Sequence, residues 1–94
     1  TLMSLRPETA LVKTAAGNLE ERPIAGVSIG DVVVCRPGDR VAVDGRVIQG
    51  EAEVDESLIT GESVPLLKSQ GDTVTGGSIN INGMLEIETL AVGE

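Results

Sequence analysis

The chain contains no phenylalanine, tryptophan or tyrosine. Its core must therefore be built from Val, Leu, Ile and Ala, and it offers no stacking platform for nucleic-acid bases. Histidine is absent too. That removes the usual acid/base near neutral pH and the commonest metal ligand, and with them any Ser–His or Cys–His nucleophile pair. The single cysteine, Cys35, permits neither an internal disulfide nor a thiolate metal cluster. A lone thiol suits a reducing, cytosolic setting. Positive charge is scarce: seven basic residues stand against 15 acidic ones, for a net charge of -8. This argues against nucleic acid or an anionic membrane surface as a partner. No apolar run approaches the roughly 20 residues of a membrane-spanning helix; the longest uncharged aliphatic stretch, Val32-Val33-Val34-Cys35, has the length of a strand. There is no Gly-rich phosphate loop ending in Gly-Lys-Ser/Thr, no G-x-G-x-x-G fingerprint and no calcium-binding helix-loop-helix pattern. A signal peptide and an initiator methionine are also missing, and the opening Thr1-Leu2-Met3 predicts a processed chain or a piece of a longer one.

What is present is a rhythm of short β-strands separated by glycine turns. The 94 residues suffice for one domain, and a hydrophobic content of 40% is enough for a core. Twelve glycines and four prolines punctuate the chain, and no long segment has a clean helical period. A short helical piece can exist over Thr1 to Leu5, ended by Pro7. Thr9 to Thr14 and Leu19 to Ile24, joined by Ala15-Ala16-Gly17-Asn18, read as a first hairpin. Val32 to Arg36 reads as a buried strand, followed by a Pro37-Gly38-Asp39 turn. Asp44-Gly45 lies between Arg40–Val43 and Arg46–Gln49, which predicts a second hairpin. Asn82-Gly83 predicts a third, between Ser78–Ile81 and Leu85–Leu90. In that hairpin a three-residue loop would pair Ile81 with Leu85 and Ile79 with Ile87, keeping one face apolar. The expectation is one all-β domain of about eight strands, a distorted jelly roll or β-sandwich.

No basic residue falls between Arg46 and Lys68, and Glu51, Glu53, Asp55, Glu56 and Glu62 all lie in that gap. Val54 to Pro65 is the least strand-like stretch after residue 9, and reads as a long, acidic, exposed loop or broken strand. Such loops on a rigid scaffold are where function tends to sit. Three readings are open: a solvated loop that aids solubility, a hard-cation site of Asp55, Glu56 and Glu62, or a glycosidase-type carboxylate pair. The last lacks a sugar-stacking aromatic. Cys35, in an apolar run, reads as a core residue rather than a nucleophile. Thr60-Gly61-Glu62-Ser63 sets a carboxylate directly after a glycine and between two hydroxyls. Glycine lets a backbone approach a ligand closely, and a glutamate on such a turn can hold a water and take its proton.

The string Val54-Asp55-Glu56-Ser57-Leu58-Ile59-Thr60-Gly61-Glu62-Ser63-Val64-Pro65 closely resembles the signature loop in the actuator domain of P-type cation-transporting ATPases. Pro37-Gly38-Asp39-Arg40-Val41-Ala42-Val43-Asp44-Gly45 resembles the turn upstream of that loop, and Gly71 to Gly83 the segment downstream. Leu5-Arg6-Pro7-Glu8-Thr9-Ala10 is similar to the approach from the membrane in the heavy-metal-transporting branch. The resemblance covers nearly the whole chain, in order. Ala42 stands where the family usually has proline, and Leu66 where it often has valine; the first would loosen an Asp44-Gly45 turn slightly.

The resemblance implies one part of a pump whose other domains bind ATP and Mg²⁺ and carry the phosphorylated aspartate; no cofactor is expected in this chain itself. It implies that the actuator domain swings its Thr-Gly-Glu loop into the phosphorylation site and promotes hydrolysis of the aspartyl phosphate, coupled to ion movement. Carried over, the catalytic set is Glu62, Thr60, Gly61 and Ser63, with Glu62 the water-positioning base, Thr60 and Gly61 shaping the loop and Ser63 supporting it. Asp55, Glu56 and Ser57 hold the loop's base. Expected partners are the phosphorylation and nucleotide-binding domains and the transmembrane helices of the same protein. The cargo would be a heavy-metal cation, copper(I) first and zinc or cadmium next. The domain is expected to be cytoplasmic, part of an integral membrane protein, and monomeric without ATPase activity when isolated. A different class also fits the residues: a stand-alone acidic β-sandwich that only binds a protein partner.

Overall fold

A computed structural model describes residues 8–57, 61 and 64–91 of the chain. The helical piece expected over Thr1 to Leu5 lies outside them. Among the described residues nine strands follow one another: β1 (Thr9–Lys13), β2 (Leu19–Pro23), β3 (Val32–Cys35), β4 (Asp44–Gly50), β5 (Ala52–Asp55), β6 (Leu66–Lys68), β7 (Thr73–Val74), β8 (Ile79–Asn80) and β9 (Leu85–Ala91). A 3-10 turn, Ile24–Gly26, follows β2. The strands form two antiparallel sheets, one of six in the order β2-β1-β3-β9-β4-β7 and one of three in the order β6-β5-β8. The all-β sandwich expected from the pattern of short apolar strands is the observed architecture.

The first hairpin forms around Gly17, between the two expected strands. Thr9 pairs with Pro23 and Lys13 with Leu19, and Gly17, at φ 87, supplies the left-handed residue of the turn. β3 then adds to β1. Its register brings Val12, Val33, Ile87 and Val47 into one row across four strands. None of the four is more than 3% exposed. A row of β-branched side chains suits a pleated surface, and each fully buried member contributes about 1.5–3 kcal/mol of transfer free energy. Leu85, Val41, Val43 and Val54, each 0% exposed, complete the core without any aromatic ring. Cys35 is buried in that core and is not an exposed nucleophile. Burial pushes its thiol up to about 11, outweighing the opposing effect of the Asn80 side chain.

Two expected hairpins do not form. Asp44 and Gly45 are not a turn but the first residues of β4, which runs unbroken to Gly50. Gly45 has no positive φ. It is glycine because β9 passes so close: a Cβ there would collide with the Glu88 carbonyl oxygen and lie 2.5 Å from Ile87 Cγ2. Asp44 is held by the turn before β8, its Oδ1 accepting a 2.7 Å hydrogen bond from the Gly76 amide. Ala42, buried at 3%, therefore precedes a strand, and loosening of a turn is not at issue.

The Asn82-Gly83 segment does reverse the chain, but between sheets rather than within one. β8 pairs with β5, whereas β9 pairs with β3 and β4. The expected pairs Ile81 with Leu85 and Ile79 with Ile87 are absent. The inward residue of β8 is Asn80, 0% exposed, while Ile81 is 43% exposed. The Asn80 Nδ2 donates to the carbonyls of Cys35 and Gly83, both at 3.1 Å. A buried amide with two carbonyl partners is accommodated in a core that an apolar-face argument reserves for isoleucine. Gly83, at φ 80, lies against the Glu51 carbonyl with no room for a Cβ. Asn82 binds Glu53 at both ends, its Oδ1 accepting from the Glu53 amide at 3.0 Å and its Nδ2 donating to Oε1 at 3.1 Å. This crossover fixes the turn after β8 against β5, and β5 is the strand that leads into the acidic segment.

Candidate functional site

Residues 54 and 55 belong to β5 and not to a loop, with Val54 fully inside the core. The excursion from the sheet begins after Asp55 and ends where β6 returns, with Leu66 opposite Val54. At its base the Asp55 carboxylate accepts a 2.8 Å hydrogen bond from the Ser57 amide, two residues on. That bond, with a second from the Ser57 side chain, holds the Asp55 carboxyl below its ordinary range. The Ser57 carbonyl in turn accepts from the Gly61 amide at 2.9 Å. Gly61 sits at φ 82, with open space where a side chain would be. A non-glycine residue is disfavoured there by its backbone alone.

Across the base, the Glu56 carboxylate and the Lys68 ammonium approach to 3.8 Å, with side chains only 12% and 17% exposed. Lys68 lies opposite the buried Ala52 in the register, and so on the inward face of the small sheet. Of the expected site residues, Asp55, Ser57 and Gly61 are thus joined by hydrogen bonds, while Glu56 is paired across the base with Lys68. Thr60, Glu62 and Ser63 lie outside the described residues. Glu51 and Glu53 do not join the group: both are exposed, and Glu53 binds Asn82. Among the described residues no group of three or more Cys, Asp or Glu side chains is arranged to hold a metal ion. A cavity of about 170 Å³ opens elsewhere, lined by Thr9, Ala10, Cys35, Arg36, Asp39 and Arg40 among others. Its charges are internally engaged: Arg36 Nε pairs with Asp39 Oδ2 at 3.0 Å, and Arg40 Nη1 donates to the Gly77 carbonyl at 3.1 Å.

Two residues of structural weight escaped the sequence reading. Lys68 had a signal: it is the only basic residue after Arg46. Asn80 had only its position between two isoleucines, which suggests a face change and not a buried amide.

Fold and sequence together define a class, a small acidic β-sandwich whose acidic segment between β5 and β6 carries Gly61. The chain belongs to the P-type ATPase actuator domain family, which matches residues 4–94. It is 46% identical over 93 residues to a copper-exporting P-type ATPase of Bacillus subtilis, covering 99% of this chain and 12% of that protein. It is 47% identical over 92 residues to a probable copper-exporting P-type ATPase of Archaeoglobus fulgidus, covering 98% of this chain and 11% of that one. The crystal structure of a zinc-transporting PIB-type ATPase in its E2·Pi state superposes with a TM-score of 0.86 at 36% identity, covering 93% of this chain and 14% of the other. The chain therefore spans only about an eighth of the length of these relatives.

Proposed function

We propose that this chain acts as the actuator of a heavy-metal pump, copper first among its cargoes, and that its excursion after β5 promotes hydrolysis of an aspartyl phosphate on another domain. The observation that carries this reading is the geometry of Gly61, a left-handed residue with open space beside it, tied to Ser57 and followed directly by Glu62. A backbone without a Cβ can lie close to a phosphate. The carboxylate next to it can orient a water in line with the phosphorus–oxygen bond and take its proton. In this reading Glu62 is the catalytic base, Thr60 and Gly61 shape its approach, and Ser63 supports it. ATP and Mg²⁺ serve the phosphorylation step, which belongs to the other domains. The domain would work on the cytoplasmic side, joined to transmembrane helices of the same protein. The relatives, which are copper exporters by name, support the cargo.

Electrostatics makes the reading demanding. A carboxylate about 4 Å from a phosphate is repelled by on the order of 4 kcal/mol per unit charge at an effective dielectric of about 20. The approach is tolerable only against a phosphate neutralised within its own domain, and only if the carboxylate has a task there. Glu62→Gln in the full-length pump is therefore expected to accept phosphate from ATP and then to retain it. An amide can hold the water but cannot take its proton. The measurement is phosphoenzyme decay after an ATP chase; wild-type decay in Glu62→Gln and Glu62→Ala would remove Glu62 from the role of base.

A further inference from the structure

The excursion after β5 needs more than its own turn to hold a fixed direction. Among the described residues, Asp55 at the end of β5 and Ser57 just beyond it brace it from within through short-range hydrogen bonds. The Glu56–Lys68 pair is different, because it ties a residue beyond the end of the β5–β6 ladder back to β6. Three observations set it apart from a surface ion pair. Lys68 is the only basic residue after Arg46, among nine acidic ones. Its register opposite Ala52 directs it inward, away from the exposed carboxylates of Glu51 and Glu53. Both partners are largely withdrawn from water, where an ion pair is screened less by salt than one on the surface.

We infer that Glu56 and Lys68 form a latch across the stem of the excursion, and that both are positioning residues for the proposed dephosphorylation. They touch no substrate. The ladder of β5 and β6 sets the separation of the stems as far as Val54 and Leu66; the latch fixes Glu56, the first residue beyond β5, against β6, so that the chain leaves the sheet in one direction. Lys68 also cancels one of the two carboxylates nearest the loop base, which lessens the charge that the loop brings toward a phosphate. Asp55 keeps the other negative, held by Ser57. This inference rests on the reading of Glu62 given above.

The test uses the full-length pump, with phosphoenzyme formation from ATP and decay after a chase measured separately. Lys68→Met and Glu56→Gln are each expected to slow decay by roughly tenfold to a hundredfold, the range expected from a misplacement of about 1 Å. Formation should stay near the wild-type rate. Lys68→Arg, which keeps the charge, should decay closer to wild type than Lys68→Met does. The double variant Glu56→Gln/Lys68→Met should be no slower than the worse single one, because a latch is lost only once. Wild-type decay in either single variant overturns the inference, as does a double variant whose defects multiply. A parallel fall in formation and decay overturns it as well, since general loss of structure does that. Glu62→Gln is run beside them: its decay at the wild-type rate refutes the reading of Glu62 itself, whereas its stalling beside a normal Lys68→Met refutes the latch alone.

Discussion

Gly45 and Gly61 are glycine for opposite reasons, and replacing each by alanine separates the two. At Gly61 the backbone is left-handed at φ 82 and nothing lies within 4 Å of an added Cβ. The cost of Gly61→Ala is then the backbone term alone, about 1–2 kcal/mol. At Gly45 the backbone conformation is ordinary for an L-residue. The added methyl would instead strike the Glu88 carbonyl oxygen and come within 2.5 Å of Ile87 Cγ2. Neither neighbour can retreat: Ile87 is 0% exposed, and Glu88 pairs with both Val32 and Arg46. β4 and β9 must separate locally, at a cost of about 3 kcal/mol or more, the upper end of overpacking. A domain of this size has roughly 5–15 kcal/mol of total stability. Thermal unfolding of the 94-residue chain, followed by circular dichroism, checks both. With about 4–8 °C lost per kcal/mol, Gly61→Ala should lower Tm by roughly 4–16 °C and Gly45→Ala by roughly 12 °C or more. A Gly45→Ala variant that melts with the wild type would refute the close approach of β9. A Gly61→Ala variant less stable than Gly45→Ala would refute the open surroundings of Gly61. In the full-length pump, Gly61→Ala should slow turnover although the domain stays folded.

Two further predictions concern the interior. Cys35 ionises at about 11 when folded, against 9.0 for an ordinary thiol. Its contribution to stability is therefore complete below pH 9 and is lost as pH rises through 11, a fall of about 3 kcal/mol at 1.36 kcal/mol per pH unit. Urea unfolding between pH 8 and pH 11 should show this slope in the wild type and a flatter one in Cys35→Ala; equal slopes would place the thiol in water. Asn80→Ala should cost about 2–4 kcal/mol by orphaning the carbonyls of Cys35 and Gly83. Asn80→Asp should cost more at neutral pH, because it sets a buried carboxylate against two carbonyl oxygens. A higher urea midpoint for Asn80→Asp than for Asn80→Ala would contradict the buried amide.

Local chemistry alone determined a good part of this molecule. The hairpin of β1 and β2 needs only two short strands and a glycine turn, and β3 needs only three adjacent valines and a cysteine. The run from Val54 to Pro65 carries the family resemblance in its own letters, and Gly61 within it has the left-handed backbone that a residue without a Cβ permits. What the tertiary structure decided is which physical demand each remaining glycine and asparagine answers. Glycine is selected either by a backbone angle or by a neighbour that leaves no room. Asp44-Gly45 spells a turn, yet Gly45 answers to the passage of β9, a strand some forty residues away in the chain. Asn82-Gly83 does turn the chain, but the partner of β8 depends on which sheet can accept Asn80 inside. Carbonyls from Cys35 and Gly83 accept it, and no local pattern announces them. The pairing of Lys68 with Glu56 has the same origin: register sets the lysine inward, and only the assembled sheet brings a carboxylate within reach.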